Sequence, residues 1–176
     1  MIEIIQNGHP TLRKIAEPVA LKDITSPKIK KVLADMKKAL SSQDDGVAIA
    51  APQINVSLRI FVVSGKVFDE DFIRGKIQEN IKHDDMVFIN PVFLKMSKDR
   101  KLLKEGCLSV RPLYGNVRRS TKASVEAYNE KGEKFKLDGS GLLAHIFQHE
   151  IDHLDGILFI DKAKNIHEST ANEEFN

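Results

Sequence analysis

The segment Gln148-His149-Glu150-Ile151-Asp152-His153 constrains this chain more than any other stretch. On an α-helix, residues four apart lie one above the other on the same face. His149 and His153 can therefore each aim a ring nitrogen at one metal ion, with the Glu150 carboxylate beside them to exchange protons with a water. This H-E-x-x-H spacing needs a rigid helix. It also needs a fold that brings a third ligand from elsewhere, because a hydrolytic metal site takes three protein ligands and keeps one position open. The bland alternative is a helix on which Glu150 and Asp152 face water while the histidines cap or pack it.

Three sources for a third ligand can be compared. One protease class extends the motif to H-E-x-x-H-x-x-G-x-x-H. The chain follows that pattern to Gly156 but carries Phe159 at the final position, and a phenyl ring cannot ligate. Glu168 is the nearest downstream glutamate. It falls in the stretch Asn165 to Asn176, which has few apolar residues and no sustained helical stripe, a poor support for a ligand. The third source lies upstream, in Glu105-Gly106-Cys107-Leu108-Ser109.

Cys107 is the only cysteine, so no internal disulfide can form. The start, Met1-Ile2-Glu3-Ile4, lacks the basic region and long apolar run of a secretory signal. Together these fit a soluble protein of a reducing compartment. A lone cysteine is most often an inert buried residue. Against that stand Gly106 beside it, which permits close backbone approach, and a histidine pair that lacks a third ligand. His145 extends the stripe by one more turn. Three successive turns span about 12 Å at 1.5 Å rise per residue, while ligating nitrogens sit about 2 Å from a metal. His145 is expected to wall a pocket or pack, not to ligate.

Taken with a third segment, these motifs resemble the peptide deformylase family. Glu105-Gly106-Cys107-Leu108-Ser109 and Gln148-His149-Glu150-Ile151-Asp152-His153 match two of its motifs. Gly46-Val47-Ala48-Ile49-Ala50-Ala51-Pro52-Gln53 resembles its first, Gly-x-Gly-Leu-Ala-Ala-x-Gln. The likeness begins at Gly8-His9-Pro10 and Leu12-Arg13 and runs through Ile89-Asn90-Pro91 to about Asp161.

The resemblance implies Cys107, His149 and His153 as ligands of one divalent metal, with Glu150 as general acid and base. Gln53 and the N–H of Leu108 would hold the formyl oxygen. Gly46, Val47, Ala48, Ile49, Glu105 and Gly106 would bind substrate, and His145 would sit by a methionine pocket with Leu142 and Ile146. The implied metal in the cell is Fe²⁺, although one thiolate and two imidazoles suit Zn²⁺, Co²⁺ or Ni²⁺ as well. The implied reaction removes the formyl group from newly made N-formylmethionyl polypeptides and releases formate, in a bacterial cytoplasm. A metallopeptidase acting on unformylated peptides and a non-catalytic metal or peptide binder are the alternatives. Three positions depart from the family pattern: Ala48 replaces its second glycine, Ile49 its leucine, and Arg111 stands where many members have proline. These bear on substrate preference and leave the ligands untouched.

With 176 residues and 41% hydrophobic content, the chain can bury about 70% of its unfolded surface in one core. A single catalytic domain over residues 1–164 and a polar tail over 165–176 are expected. Ser26-Pro27 opens a helix with Ile29, Val32, Leu33, Met36 and Leu40 on one face. Strands are expected at Leu58–Val63, Met86–Ile89 and Phe93–Leu103. A hairpin through Asn129-Glu130-Lys131-Gly132 should join Ser124–Tyr128 to Glu133–Leu137. The metal helix should run from about Ser140 or Gly141 to Leu154, followed by a last strand at Ile157–Ile160.

This order does not alternate as βαβ units, so the fold class is α+β. By the resemblance, antiparallel sheets would pack around a central helix that carries the H-E-x-x-H motif. Between Gly65 and Asp85 the residues Phe68, Phe72, Ile73, Ile77 and Ile81 recur at near-helical spacing, which reads as a short packed helix. A net charge of +2 argues for no specific nucleic acid. No apolar run suggests a membrane. Contact with the ribosome is expected to be transient, because the tail lacks the basic helix with which some relatives dock there.

Overall fold

The computed structural model describes residues 2–69 and 83–169. Two α-helices and eight strands are found among them. Strands β1 (Ala48–Ala50), β2 (Ile60–Val63), β3 (Met86–Met96), β6 (Lys122–Tyr128) and β7 (Lys134–Ser140) form an antiparallel sheet in the order β1-β2-β3-β6-β7. Strands β4 (Arg100–Gly106), β5 (Leu113–Ser120) and β8 (Lys164–Glu168) form a second antiparallel sheet in the order β4-β5-β8. The class is α+β, with antiparallel sheets throughout.

Helix α1 covers Pro27–Ser41. The Ile29 N–H donates to Ser26 Oγ at 3.3 Å, and Pro27 occupies the first turn, where its missing N–H costs nothing. Its apolar face, Ile29, Leu33, Met36 and Leu40, packs against Ile49, Ile60, Val62, Val87 and Ile89 of the larger sheet. Helix α2, Leu142–Leu154, covers the other face. There Ala144, Phe147, Ile151 and Leu154 meet Ala48, Ala50, Phe61, Val63, Phe88 and Val125. Successive strand residues point to opposite faces. The run Ile60-Phe61-Val62-Val63 can thus be apolar throughout, because both faces are covered. Phe61 and Phe88 stack with centroids 4.5 Å apart, and Phe147 meets both rings.

The hairpin between β6 and β7 closes as its sequence predicts. Asn129 Oδ1 accepts from the N–H of Lys131 and of Glu133, at 3.0 and 2.9 Å, and Gly132 takes φ +81°. Elsewhere the structure departs from expectation. The run Phe93–Leu103 is not one strand: β3 ends at Met96, and β4 begins at Arg100 in the other sheet. Ser97 Oγ donates to Asp99 O at 2.9 Å, and the Thr121 N–H donates to the same oxygen at 3.0 Å, so a polar turn interrupts the run.

Ile157–Ile160 is not a strand either. A 3-10 turn takes Phe159–Asp161 instead, and the Leu158 N–H donates to Asp161 Oδ2 at 2.9 Å rather than to a neighbouring strand. The last strand is β8, whose five residues are all exposed. It is held by backbone pairing to β5, so its side chains carry no periodic signal. Gly65–Phe68 forms a 3-10 turn. Phe72, Ile73, Ile77 and Ile81 lie outside the described residues.

Replacing Phe88 with alanine should remove about 3–5 kcal/mol of unfolding free energy, the usual result of truncating a core aromatic. Urea unfolding monitored by circular dichroism measures it. A loss below about 1 kcal/mol would mean that the aromatic cluster is not a principal support of the sheet.

Candidate active site

Helix α2 lies against the larger sheet through one face and turns His149 and His153 toward the smaller sheet. Strand β4 of that smaller sheet ends at Gly106, and the turn that follows starts with Cys107. A Cβ at Gly106 would run into the Tyr114 ring from β5, so glycine allows the two strands to close at this point. Cys107 Sγ lies 3.2 Å from His153 Nε2, which lies 3.2 Å from His149 Nε2. All three ligand atoms fall within 4.8 Å of one another. Donors placed 2.0–2.3 Å from one tetrahedral ion are spaced about 3.3–3.7 Å apart, so a small contraction would complete the site.

A buried carboxylate organises these groups. Glu105 Oε1 accepts from His149 Nδ1–H at 2.6 Å and from Arg119 Nη2 at 2.6 Å. Its Oε2 accepts from His145 Nε2–H at 2.7 Å and from Arg119 Nε at 3.0 Å. Arg119 also donates to Asp152 Oδ2 at 2.6 Å, and Lys162 Nζ reaches the same carboxylate at 2.7 and 2.8 Å.

Burial would raise the Glu105 pKa, but the His149 charge, the two imidazole hydrogen bonds and Arg119 outweigh it and hold the carboxyl far below its ordinary range. Burial opposes charge on His149 as well, yet Glu105 and Cys107 together lift its pKa well above the usual value. The same negative groups would favour a metal cation in place of that proton. Burial and the neighbouring His149 push His153 well below its ordinary value, which leaves a neutral ring with a free lone pair.

Glu150 is 4% exposed and its pKa is pushed up to about 7, chiefly by burial. Among the described residues, the buried side-chain polar atoms with no hydrogen-bond partner are Glu150 Oε2 and His153 Nδ1. A buried carboxylate oxygen left free by the polypeptide suits a group that handles the protons of water. Gln53 faces the cluster from the other side. Its Oε1 accepts from the Ala50 N–H at 2.8 Å, which fixes which way round the amide sits. Its Nε2 donates to Ser109 Oγ at 3.1 Å and lies 3.6 Å from Cys107 Sγ.

These groups open onto a cavity of about 610 Å³. Gly46, Val47 and Ala48 form one wall, Glu105, Gly106, Cys107 and Leu108 a second, and Leu142, His145, Ile146, His149 and Glu150 a third. Gln53 lies between the first two, and His153 is buried beneath.

Ile49 is a correction. Its side chain is fully buried against α1, because in the three-residue strand β1 only Ala48 and Ala50 point toward α2. Ala48, 6% exposed, packs in the core against α2 and also lines the cleft. Sequence reasoning missed Arg119 and Asp152, which no motif or spacing links to Glu105. It also missed Asp45, which pairs with Arg111 at 2.6 Å where both line the cavity.

The sequence matches the family model described as polypeptide deformylase over residues 1–169. This chain belongs to the polypeptide deformylase family. The peptide deformylase of Carboxydothermus hydrogenoformans is 42% identical over 164 residues, covering 93% of this chain and 94% of that one. Peptide deformylase 2 of Clostridium acetobutylicum is 40% identical over 150 residues, covering 85% and 87%. Among solved structures, a Synechococcus elongatus peptide deformylase in complex with actinonin superposes with a TM-score of 0.80 at 30% identity, covering 93% of this chain and 81% of that one. The Legionella pneumophila peptide deformylase gives 0.78 at 35% identity, covering 94% and 87%. Peptide deformylases from several bacteria thus share this fold.

Arg119→Met should destabilise the protein by about 3–5 kcal/mol, because it takes the guanidinium away from the buried Glu105 carboxylate, and Asp152 keeps only Lys162. Equilibrium unfolding in urea tests this. A change under about 1 kcal/mol would show that Glu105 and Asp152 find other partners.

Proposed function

We propose that this chain is a metal-dependent hydrolase that removes the formyl group from the N-terminal formyl-methionine of newly made polypeptides. The observation that carries this reading is the convergence of Cys107, His149 and His153 beside a buried Glu150, at the floor of a cavity walled by Gln53 and Leu108. Cys107, His149 and His153 would hold one divalent ion. When bound, that ion supplies Lewis-acid polarisation and makes a water nucleophilic near neutral pH.

The remaining steps belong to the chain. The formyl carbonyl is oriented by Gln53 Nε2–H and the Leu108 N–H, which donate to its oxygen as negative charge gathers there. The Ala50 bond that holds Gln53 Oε1 keeps the NH₂ side of that amide available for this task. Glu150 accepts the proton of the attacking water. It then delivers that proton to the amine nitrogen as the C–N bond breaks, yielding formate and a free N-terminus. A carboxyl poised near neutrality by burial serves both directions of transfer. Gly46, Val47 and Ala48 face Glu105 and Gly106 across the cleft and would flank the peptide, while Leu142, His145 and Ile146 would receive the methionine side chain.

We assign Fe²⁺ as the metal in the cell, with Zn²⁺, Co²⁺ or Ni²⁺ able to occupy the same donors. The setting is the bacterial cytoplasm, with transient contact at the ribosome and no specific nucleic acid or membrane partner. No helix among the described residues is long and apolar enough to cross a membrane. Residues 1–164 carry the catalytic machinery as one domain; of the stretch expected as a tail over 165–176, residues 165–168 belong to β8 and complete the smaller sheet.

Formate release from an N-formyl-methionyl peptide, measured without oxygen on Fe²⁺-loaded protein, should be rapid. With Glu150→Ala it should fall at least about 10²-fold at unchanged metal content. Cleavage of unformylated peptides at comparable rates would make the chain a peptidase instead. Dilute peroxide should abolish activity of the Fe²⁺ form with release of iron, and leave the Zn²⁺ form much less affected. Retention of both activity and iron would remove the ferrous assignment.

A further inference from the structure

Two histidines one turn apart on the same face of α2 hold the two oxygens of a single carboxylate. His149 Nδ1–H donates to Glu105 Oε1 at 2.6 Å, and His145 Nε2–H donates to Oε2 at 2.7 Å. Arg119 fills one further position on each oxygen, so the carboxylate, 2% exposed, is fixed at both ends. A helix tied to a buried acceptor by one hydrogen bond can still roll about its axis or slide along it. Bonds from residues i and i+4 to the same acceptor set the roll and the height together. The direction of the His149 ring follows, because its Nδ1–H bond decides where the Nε2 lone pair points.

We propose that His145 is a positioning residue for the metal centre, acting through Glu105 to fix the orientation of His149. This role rests on Cys107, His149 and His153 being the ligand set. Without His145, Glu105 Oε2 keeps only the 3.0 Å bond from Arg119 Nε, the longest of the four, and the carboxylate gains freedom to turn. His145 also lines the cavity beside Leu142 and Ile146. A wall of that kind would be served equally well by leucine, so the polar ring is explained by its bond to Glu105 and not by packing.

The test compares the parent with His145→Leu and His145→Gln, each loaded with Co²⁺. His145→Leu should release the metal to a chelator at least about 10-fold faster than the parent and show an altered thiolate-to-cobalt absorption band. Its kcat on a formyl-methionyl peptide should fall while KM stays within about twofold. His145→Gln, whose amide can still donate to Oε2, should recover most of both losses. In a Glu105→Gln background, His145→Leu should add little further, because both act along one path.

Parent-like metal release and an unchanged band in His145→Leu would overturn the proposal. So would equal impairment of the Leu and Gln variants, or additive losses with Glu105→Gln. Should His145→Leu fail to fold, His145→Asn, whose shorter amide cannot reach Oε2, supplies the same comparison with Gln. A parent that takes up no Co²⁺ removes the ligand set and this role with it, whereas a parent that binds Co²⁺ beside an unaffected His145→Leu removes this role alone.

Discussion

The Glu105 carboxylate is the contact on which the active-site architecture depends. It lies at the end of β4, and its four hydrogen bonds run to β5 through Arg119 and to α2 through His145 and His149. Arg119 carries the connection onward to Asp152, one turn further along α2, and Lys162 closes it at the surface. Buried ion pairs contribute little net stability, because desolvation offsets most of their attraction. What this network contributes is geometry. The groups that it ties together satisfy one another's hydrogen bonds, and two imidazoles and the Cys107 side chain converge beside them.

The larger sheet supplies the opposite constraint. It is covered by α1 on one face and α2 on the other, so its strands cannot slip without exposing an apolar face. Strand β1 is short, but its three residues are buried and paired in register with β2. It therefore holds Ala48 at the cleft wall and places the Ala50 N–H where it anchors Gln53. The cleft thus has one wall from each sheet and a third from α2, which both sheets contact.

Much of this was legible in the chain because helix and strand periods are local. The i, i+4 histidines, the Ser26-Pro27 helix start and the Asn129–Gly132 turn each announce themselves within a few residues. Three motifs together also brought Cys107 to the histidines across a long separation. What stayed hidden depends on distant partners. Arg119 carries no signal of its own until β4 and β5 pair, and β8 shows no pattern because all of its side chains face water. Ile49 shows a different failure. The motif placed it at the cleft, while the alternation Ala48-Ile49-Ala50, already present in the sequence, turns it to the other face.

The candidate ligand set also has a topological side. Cys107 belongs to the smaller sheet's hairpin, and His149 and His153 belong to the helix that lines the larger sheet, with Cys107 and His153 separated by 46 residues. An ion held by all three would close that span of chain into a loop and fasten the two sheets together. In a protein with a single cysteine, which can form no internal disulfide, the metal would serve as the cross-link. Loss of the ion would then loosen the seam between the sheets as well as silence the chemistry. The smaller sheet, whose own apolar cluster gathers only a few buried side chains, would be the first part to open.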